Sequence, residues 1–391
     1  MKDFFDRIRQ YLKESAERKL MIGRMTISRL TIFGIAAGIL LAAIFALIYL
    51  MYGKRDTALT YAKTDVDAGF EYHYKNGLLS YRAGEYLYTY DGAKNALTYY
   101  WLNSAVQGYD ASPSISIAYA GPLFKIQGNK GSMALSDGTI IDARAGTNYA
   151  AILFVSSSGD NRIMILDRRM NSINTLNYKG SEIVAFGLLD AGSTELLWVS
   201  TTDVEQFSEE SIVRIYDCST GAMIHYSNAF YNQSIYQAYL SSSCLFLVGT
   251  QAIVRYDRDS NGGFSAERDR VRVYGSTVTD FSPAGESAYF IALPDAPEGS
   301  DNNLVRLITI SQSDDLWSTV MQKYLPAPVV GAFVHNGSIC VFTKEHFLQY
   351  SFAGKKLLDV EQNYIPSAVY ECGDDAFVVV TDSACYRATV Q

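Results

Sequence analysis

The amino-acid sequence predicts an all-β fold, a β-propeller of four-stranded antiparallel blades, with one transmembrane α-helix in front of it. Three observations lead to this prediction. Residues 30–53 form a run of 24 residues without a charge. Beyond residue 56 the helical spacing of apolar residues disappears, and short segments rich in Tyr, Val, Ile and Phe take its place. These segments recur at intervals of about 40 residues, a period typical of propeller blades.

The uncharged run reads LTIFGIAAGILLAAIFALIYLMYG. A helix of this length reaches ~36 Å, enough to cross a hydrocarbon layer of ~30 Å with some tilt. A cleaved signal peptide would have a shorter apolar stretch of about 7–15 residues and a small-residue cleavage site, which residues 49–56 do not offer. We therefore expect an uncleaved signal anchor in the lipid bilayer of the cell membrane.

The charges on either side of this run predict its orientation. Eight basic residues precede it and only two follow it directly. Basic residues resist translocation, so we expect residues 1–29 to be cytoplasmic and residues 57–391 to be extracytoplasmic. Apolar residues recur at helical spacing among the basic ones from Phe4 to Leu20. This tail either lies on the inner leaflet as an amphipathic helix or only fixes the topology.

Small residues recur at every fourth position of the predicted span, at Gly34, Gly38, Ala42 and Ala46. In lipid, such a stripe lets two helix backbones approach closely, which favours a homodimer through the membrane helix. The alternative is that glycine and alanine are simply frequent in membrane spans.

The rest of the chain is acidic. Residues 1–55 hold 10 basic and 4 acidic groups, whereas the following residues hold 23 basic and 37 acidic groups. A domain with this charge repels phosphate backbones, so we expect no nucleic-acid partner. The five cysteines are odd in number and form no C-x-x-C pair, and we expect them to be buried apolar side chains rather than a disulfide framework.

Eight similar apolar segments are interpreted as the second strands of eight blades. They are GLLSYR (77–82), PLFKIQ (122–127), AAILFVS (150–156), ELLWVS (195–200), CLFLVG (244–249), SAYFIAL (287–293), SICVFT (338–343) and AFVVVT (376–381). Each is followed by a similar partner strand and a turn rich in Gly or Asn, as in EYLYTYDGAKN. The second unit, residues 104–145, has short strands. Eight blades are favoured, and an irregular second unit would leave seven.

The ring of blades needs a strand from the other end of the sequence to close it. The last unit stops one strand short, and Ala58-Leu-Thr-Tyr61 is similar to Ala96-Leu-Thr-Tyr-Tyr100, the closing strand of the first unit. We therefore expect residues 57–63 to complete the last blade together with residues 367–391. Without this pairing an apolar strand edge would stay open.

One turn carries a family resemblance. Asp217-Cys-Ser-Thr-Gly-Ala-Met-Ile-His225 resembles the D-x-x-T-G-x-x-x-W turn of quinoprotein-type (PQQ-like) propeller repeats, with His225 in place of Trp. No Trp is followed by Asp and no Gly-His pair occurs, so the WD40 signature itself is absent. The layout as a whole is similar to uncharacterised bacterial single-pass membrane-anchored propeller proteins with PQQ-like or WD40-like repeats. The resemblance implies a fold and no activity.

A short motif suggests calcium as the one candidate cofactor. Asp257, Asp259 and Asn261 fit the D-x-[DN]-x-[DN]-G pattern of calcium loops. The twelfth position, where an EF-hand has Glu, is Arg268. Three other blades carry Asp at the same phase, where capping of a turn explains it. We therefore expect no cofactor, with calcium at this loop as the alternative.

The motifs of known enzyme classes are missing from the sequence. It contains no HExxH, G-x-S-x-G, phosphate-binding glycine loop or paired cysteine ligands, and its four histidines are scattered over different blades. We therefore expect a protein that is not an enzyme.

Two acidic insertions, residues 201–211 and 294–303, interrupt the fourth and sixth blades between their second and third strands. In a propeller these loops share one face with the connections between blades, and long loops on one face often bind partners. The alternative is a solvated insertion. The predicted partner-binding residues are Asp203, Glu205, Glu209, Glu210, Asp295, Glu298 and Asp301.

These observations favour a non-catalytic, membrane-anchored extracytoplasmic scaffold that binds a protein or a cell-wall component at the outer membrane surface. The alternative is a ligand-sensing or enzymatic propeller that binds a small molecule in its central channel. An exposed apolar patch beside the acidic loops would favour the scaffold, and a ligand in the channel would favour the alternative.

Overall fold

The computed structural model describes residues 59–390, with gaps at 76, 102–105, 130, 193, 204–209, 260–261, 296–302, 314–315 and 374–375. Before residue 59 it describes residues 7, 10, 19–22, 25–28, 38 and 40–44. The chain divides into two units, the second of which is Ala58–Val390.

The described part of the first unit contains a short β-hairpin. Its strands β1 (Lys19–Ile22) and β2 (Met25–Ser28) pair antiparallel, with Leu20 opposite Ile27. The expected amphipathic helix therefore does not extend to Leu20, because the backbone there takes its partners from a neighbouring strand. No helix in the described residues is long and apolar enough to cross a membrane.

The residues of the predicted membrane span are described only in part. Residues 38 and 40–44, which include Gly38 and Ala42, are described. Gly34, Ala46 and the other residues of 30–53 lie outside the described residues.

The second unit is a propeller of eight antiparallel blades, which confirms eight blades rather than seven. Blade one comprises β4 (Tyr72–Lys75), β5 (Leu78–Ala83), β6 (Tyr86–Asp91) and β7 (Ala96–Trp101), and blade two comprises β8 (Gly108–Ala111), β9 (Ser116–Ala120), β10 (Leu123–Ile126) and β11 (Met133–Ala134). Blade three comprises β12 (Thr139–Ala145), β13 (Tyr149–Val155), β14 (Asn161–Asp167) and β15 (Ser172–Tyr178). Blade four comprises β16 (Ser181–Asp190), β17 (Glu195–Asp203), β18 (Glu210–Asp217) and β19 (Met223–Tyr226), with the additional short strand β20 (Phe230–Tyr231).

Blades five to eight have the same plan. Blade five comprises β21 (Ile235–Leu240), β22 (Cys244–Gly249), β23 (Ala252–Arg258) and β24 (Phe264–Arg272), and blade six comprises β25 (Ser276–Ala284), β26 (Ser287–Pro294), β27 (Leu304–Ser311) and β28 (Ser318–Tyr324). Blade seven comprises β29 (Val329–His335), β30 (Ser338–Thr343), β31 (His346–Ser351) and β32 (Lys356–Glu361). Blade eight comprises β33 (Ala368–Glu371), β34 (Ala376–Val380) and β35 (Cys385–Val390), with β3 (Leu59–Lys63) as its outer strand.

The order of strands within a blade gives the ring two different faces. Each blade is a meander, and the first strands of neighbouring blades contact one another around the centre of the ring. The turns between first and second strands and between third and fourth strands lie on one face, which we call the turn face. The loops between second and third strands and the connections between blades lie on the other, the loop face.

The second blade differs from the prediction in one respect. The segment PLFKIQ, which was assigned to a second strand, forms the third strand β10, and the second strand is β9. The two strands are joined by a tight turn in which Gly121 has a φ of 58°, a conformation that glycine adopts without strain. Because PLFKIQ is the third strand of blade two and not the second, it lies unusually close in sequence to the second strand of blade three.

The eighth blade is completed by the strand that comes first in the propeller sequence. β3 pairs antiparallel with β35, with Leu59 opposite Val390 and Lys63 opposite Tyr386. Beyond this ladder, the backbone N–H of Thr64 donates to the carbonyl of Cys385 at 3.0 Å. The side chain of Tyr61 packs edge-on against Tyr364, with 5.1 Å between the ring centroids. β3 therefore begins, and β35 ends, at the turn face of the ring.

The core is divided among the seams between neighbouring blades, where apolar residues from facing sheets interdigitate. All five cysteines are buried in these seams as free thiols, as the sequence predicts. His225 of blade four lies in one seam, with its ring centroid 5.3 Å from that of Tyr256 and 5.5 Å from that of Phe264 in blade five. The residue at the Trp position of the resembling repeat thus packs between blades.

Candidate functional site

Both acidic insertions lie on the loop face, in blades four and six. The first joins β17 to β18 and the second joins β26 to β27. Glu210 and Asp295 stand at the bases of these loops and are described. The other predicted partner-binding side chains lie outside the described residues; they are those of Asp203, Glu205, Glu209, Glu298 and Asp301.

The additional strand β20 supports the base of the loop in blade four. It pairs with the start of β18, so that Tyr231 lies opposite Glu210 and Phe230 lies opposite Ser211. Because successive side chains of a strand point to opposite faces, Phe230 is buried while Tyr231 is 65% exposed. The sheet therefore holds an exposed tyrosine beside an acidic residue of the loop.

The loop in blade six is attached at both of its ends. The backbone N–H of Asp295 donates to the carbonyl of Gly275 at 3.1 Å, and the N–H of Leu325 donates to the carbonyl of Asn303 at 2.8 Å. The residues preceding Gly275 and Leu325 are Tyr274 and Tyr324, which are 77% and 70% exposed. Each end of this acidic loop is thus hydrogen-bonded next to an exposed tyrosine.

Blade five, which lies between the two loops, has a much shorter connection at the same place. Only Thr250 and Gln251 separate β22 from β23. Tyr231 lies in the connection that enters blade five, and Tyr274 lies in the connection that leaves it. We call the surface over blade five, bordered by Tyr231, Tyr274 and the bases of the two acidic loops, the saddle. Exposed tyrosines of this kind are frequent at the centres of protein interfaces.

The central channel contains a cavity of about 330 Å³. On one side of it, a partly buried ion pair joins three blades. Lys75 Nζ lies 3.0 Å from Asp110 Oδ2 and donates to the carbonyl of Ala145 at 2.6 Å. The same Asp110 oxygen accepts the backbone N–H of Ala145 at 2.7 Å. These bonds fix the inner ends of blades one, two and three to one another.

A second group of polar side chains lines the channel between blades six and eight, beside a cavity of about 270 Å³. His335 Nδ1 and Glu371 are joined by a hydrogen bond. Asp280 Oδ2 accepts the backbone N–H of Val334 at 2.7 Å. Burial raises the pKa of Asp280 to about 6; the nearby Glu371 also raises it, and the Val334 N–H and His335 partly oppose the shift.

This shift predicts a pH dependence that Asp280→Asn should remove. The stabilising contribution of Asp280 is complete below about pH 4, the range of an unfolded aspartate, and is lost as the pH rises through about 6. We expect Asp280→Asn to raise the free energy of unfolding above pH 6 by roughly 1–3 kcal/mol, with a much smaller effect at pH 4. Thermal melting between pH 4 and pH 8 measures this difference.

The matched control is Asp359→Asn. Lys356 lowers the pKa of the exposed Asp359, so its contribution to stability is present above the unfolded pKa and is lost as the pH falls. Asp359→Asn should therefore lower the free energy of unfolding slightly at neutral pH, and this effect should disappear at low pH. If the difference in thermal stability between Asp280→Asn and the parent did not change with pH, the raised pKa of Asp280 would be contradicted.

Two of the three calcium-loop residues, Asp257 and Asp259, have hydrogen-bond partners of their own in the structure. Asp257 Oδ1 accepts from Arg255 Nε at 2.9 Å and from Arg255 Nη2 at 2.6 Å, and Oδ2 lies 2.7 Å from Arg268 Nε. Asp259 Oδ1 accepts the backbone N–H of Gly263 at 2.9 Å, and Asn261 lies outside the described residues. Two arginines thus occupy the Asp257 oxygens that a calcium ion would need. Across the described residues, no group of three or more His, Cys, Asp or Glu side chains is arranged to hold a metal.

Comparisons with known proteins agree with this architecture. No protein-family model matches the chain, and no curated protein sequence does. BamB from Moraxella catarrhalis is 9% identical with a TM-score of 0.50, over 85% of this chain and 100% of that one. Saccharomyces cerevisiae Sqt1 is 11% identical with a TM-score of 0.51, over 86% of this chain and 99% of that one.

A third solved structure gives the same result. The WD40 domain of SCAP from fission yeast is 9% identical with a TM-score of 0.52, over 85% of this chain and 98% of that one. Identities this low carry information about the fold alone. The chain is a β-propeller similar in architecture to BamB and to WD40 domains.

Proposed function

We propose that this chain is a membrane-anchored extracytoplasmic propeller that binds a basic segment of a protein partner, without catalysis, at the saddle. The observation that carries the proposal is the arrangement of the loop face. The bases of the two acidic loops lie in the blades on either side of blade five, and exposed tyrosines lie beside these hydrogen-bonded bases.

The chemistry of this surface favours a partner rich in Lys and Arg. Residues 201–211 and 294–303 together contain seven acidic and no basic residues. Their field attracts a basic segment, and Tyr231 and Tyr274 offer rigid aromatic surface for contact. The connection of blade five at this place is only two residues long, which favours an extended segment of the partner lying across this blade. Because the attraction is electrostatic, binding should weaken as salt is added.

The test is proximity labelling from the full chain in its native cell. We expect the double variant Tyr231→Ser and Tyr274→Ser to lose a basic protein that the parent labels. The matched control is Tyr99→Ser, which removes a tyrosine that is also 65% exposed but lies on the outer strand of blade one. With that partner purified, its Kd for the double variant should be at least about tenfold higher, a change of ~1.4 kcal/mol in binding free energy.

Three outcomes would overturn the proposal. The double variant could retain every partner of the parent, or the control could lose the same partner. Binding could also be transferred to isolated cell-wall material that contains no protein, in which case the partner is a wall component rather than a protein.

We also propose that residues 30–53 anchor the chain in the membrane and that the Gly34, Gly38, Ala42 and Ala46 stripe pairs two copies. Support comes from the length, the lack of charge and the flanking basic residues of this segment. The parent should stay with membranes during carbonate extraction, and a chain lacking residues 30–53 should be released. Gly34→Ile with Gly38→Ile should reduce the cross-linked dimer without releasing the chain. A deletion that still sediments with membranes would contradict the anchor.

A further inference from the structure

One inner strand has a glycine at the wall of the cavity in the central channel. Gly187 of β16 lies opposite Trp198 of β17 in the sheet. A Cβ atom placed on Gly187 would lie 2.7 Å from Trp198 Nε1, which is too close for an ordinary contact. Trp198 of the second strand β17 lines the cavity, together with Phe186 and Leu188 of the first strand β16. The glycine makes room for the Trp198 indole at the wall of the cavity.

Arg144 is held at the edge of this pocket. Its Nη1 donates to Asp142 Oδ1 at 2.6 Å and to the carbonyl of Ala143 at 3.0 Å. Its guanidinium carbon lies 5.1 Å from the centroid of the Phe186 ring, a cation–π contact. The N–H groups on Nε and Nη2 make no hydrogen bond with any described residue. Arg144 is thus fixed in place and still has three donors to offer.

Lys75 supplies a second cation to the same cavity. Its bonds to Asp110 and Ala145, given above, use two of its three N–H donors. Each cation is in an ion pair, Lys75 with Asp110 and Arg144 with Asp142, and each carboxylate also accepts a backbone N–H. What the two cations offer a ligand is therefore their unused N–H donors. The pocket is therefore rich in unused donors, although the chain as a whole has a net charge of -8.

We propose that this pocket binds a small organic carboxylate with an aromatic body. The carboxylate is recognised by Arg144 and Lys75, because a guanidinium offers paired donors that match the two oxygens of a carboxylate. The aromatic body lies against Trp198 and Leu188. A volume of about 330 Å³ falls within the range of small-molecule sites. The pocket is separate from the saddle, so this inference does not depend on the proposed docking.

Calorimetric titration of the full chain in detergent tests the inference with three probes. We expect benzoate to bind, benzamide, which has the same shape without the charge, to bind at least about tenfold more weakly, and inorganic phosphate, which lacks an aromatic body, to bind more weakly than benzoate. Arg144→Gln should weaken benzoate binding at least about tenfold. The matched control Arg270→Gln removes an exposed arginine that is paired with Glu267, and it should bind benzoate like the parent.

A second variant keeps the test decisive if Arg144→Gln does not fold. Arg144→Lys keeps the positive charge and loses the paired donors, so it should bind benzoate with an affinity between those of the parent and a chain without the cation. The inference is wrong if no benzoate binding is measured, if benzamide binds as tightly as benzoate, or if a folded Arg144 variant binds benzoate like the parent.

Discussion

Deletion of residues 58–63 is expected to lower the Tm of the propeller by about 10 °C. The deletion removes β3, whose ladder with β35 runs from Leu59 to Lys63. Leu59 is buried in the seam between blades seven and eight, and the ring of Tyr61 packs against Tyr364 and Tyr386. Loss of this burial and of the ladder hydrogen bonds costs roughly 5 kcal/mol. In a domain of this size each kcal/mol shifts the Tm by about 2 °C.

Differential scanning calorimetry of the parent and the deletion variant measures this effect. The matched control replaces two exposed side chains of β3, Thr60→Ala with Lys63→Ala, and leaves the backbone ladder in place. It should change the Tm by no more than about 2 °C. The exposed edge of β35 should also make the deletion variant prone to self-association. A deletion variant that melts with the parent would show that the eighth blade does not need β3.

Arg255→Ala is expected to reduce the free energy of unfolding by about 3–5 kcal/mol. Arg255 is only 2% exposed and lies on the third strand of blade five. Its Nη1 donates to the carbonyl of Ser311 at 2.6 Å and its Nη2 to the carbonyl of Ser313 at 2.8 Å, both in blade six. Removing the guanidinium takes the Arg255 donors away from these carbonyls and from Asp257 Oδ1, while Asp257 Oδ2 keeps its contact with Arg268. Blades five and six then lose two of the polar bonds that join them.

The matched control for this variant is Arg268→Ala. Arg268 contacts the same carboxylate, but its side chain is 40% exposed, so water can replace its bonds. We expect a loss of less than about 1 kcal/mol for the control. Chemical denaturation of both variants gives the comparison. Equal losses for Arg255→Ala and Arg268→Ala would show that burial of Arg255 contributes nothing to stability.

The repeat could be predicted from sequence because each blade repeats the same short pattern of apolar and turn residues. Seven of the eight segments assigned to second strands are second strands in the structure. The prediction for the second blade was wrong by one strand, because β9 and β10 are short and separated only by a tight turn. A strand at 59–63 pairs with the last strand of the ring, the partner that similarity to residues 96–100 suggested.

The candidate sites depend on contacts that no local pattern contains. The channel pocket requires Gly187 to lie opposite Trp198, and a shift of one residue in strand pairing would change which side chain faces the glycine. The saddle requires the bond between Asp295 and Gly275, which are distant in sequence. Arg255 could have been noticed as a charge within the apolar strand AIVRYD, but its partners in blade six could not.

The pairing of β3 with β35 also sets the order in which the ring can be completed during synthesis. Thr64 and Cys385, which are hydrogen-bonded just beyond this ladder, are 321 residues apart in the chain. At about 5–20 residues per second, a ribosome needs roughly 16–64 s to travel that distance. During all of this time β3 is a strand without a neighbour, while seven complete blades form after it. Correct assembly therefore requires that β3 does not pair with other chains before β35 emerges from the ribosome.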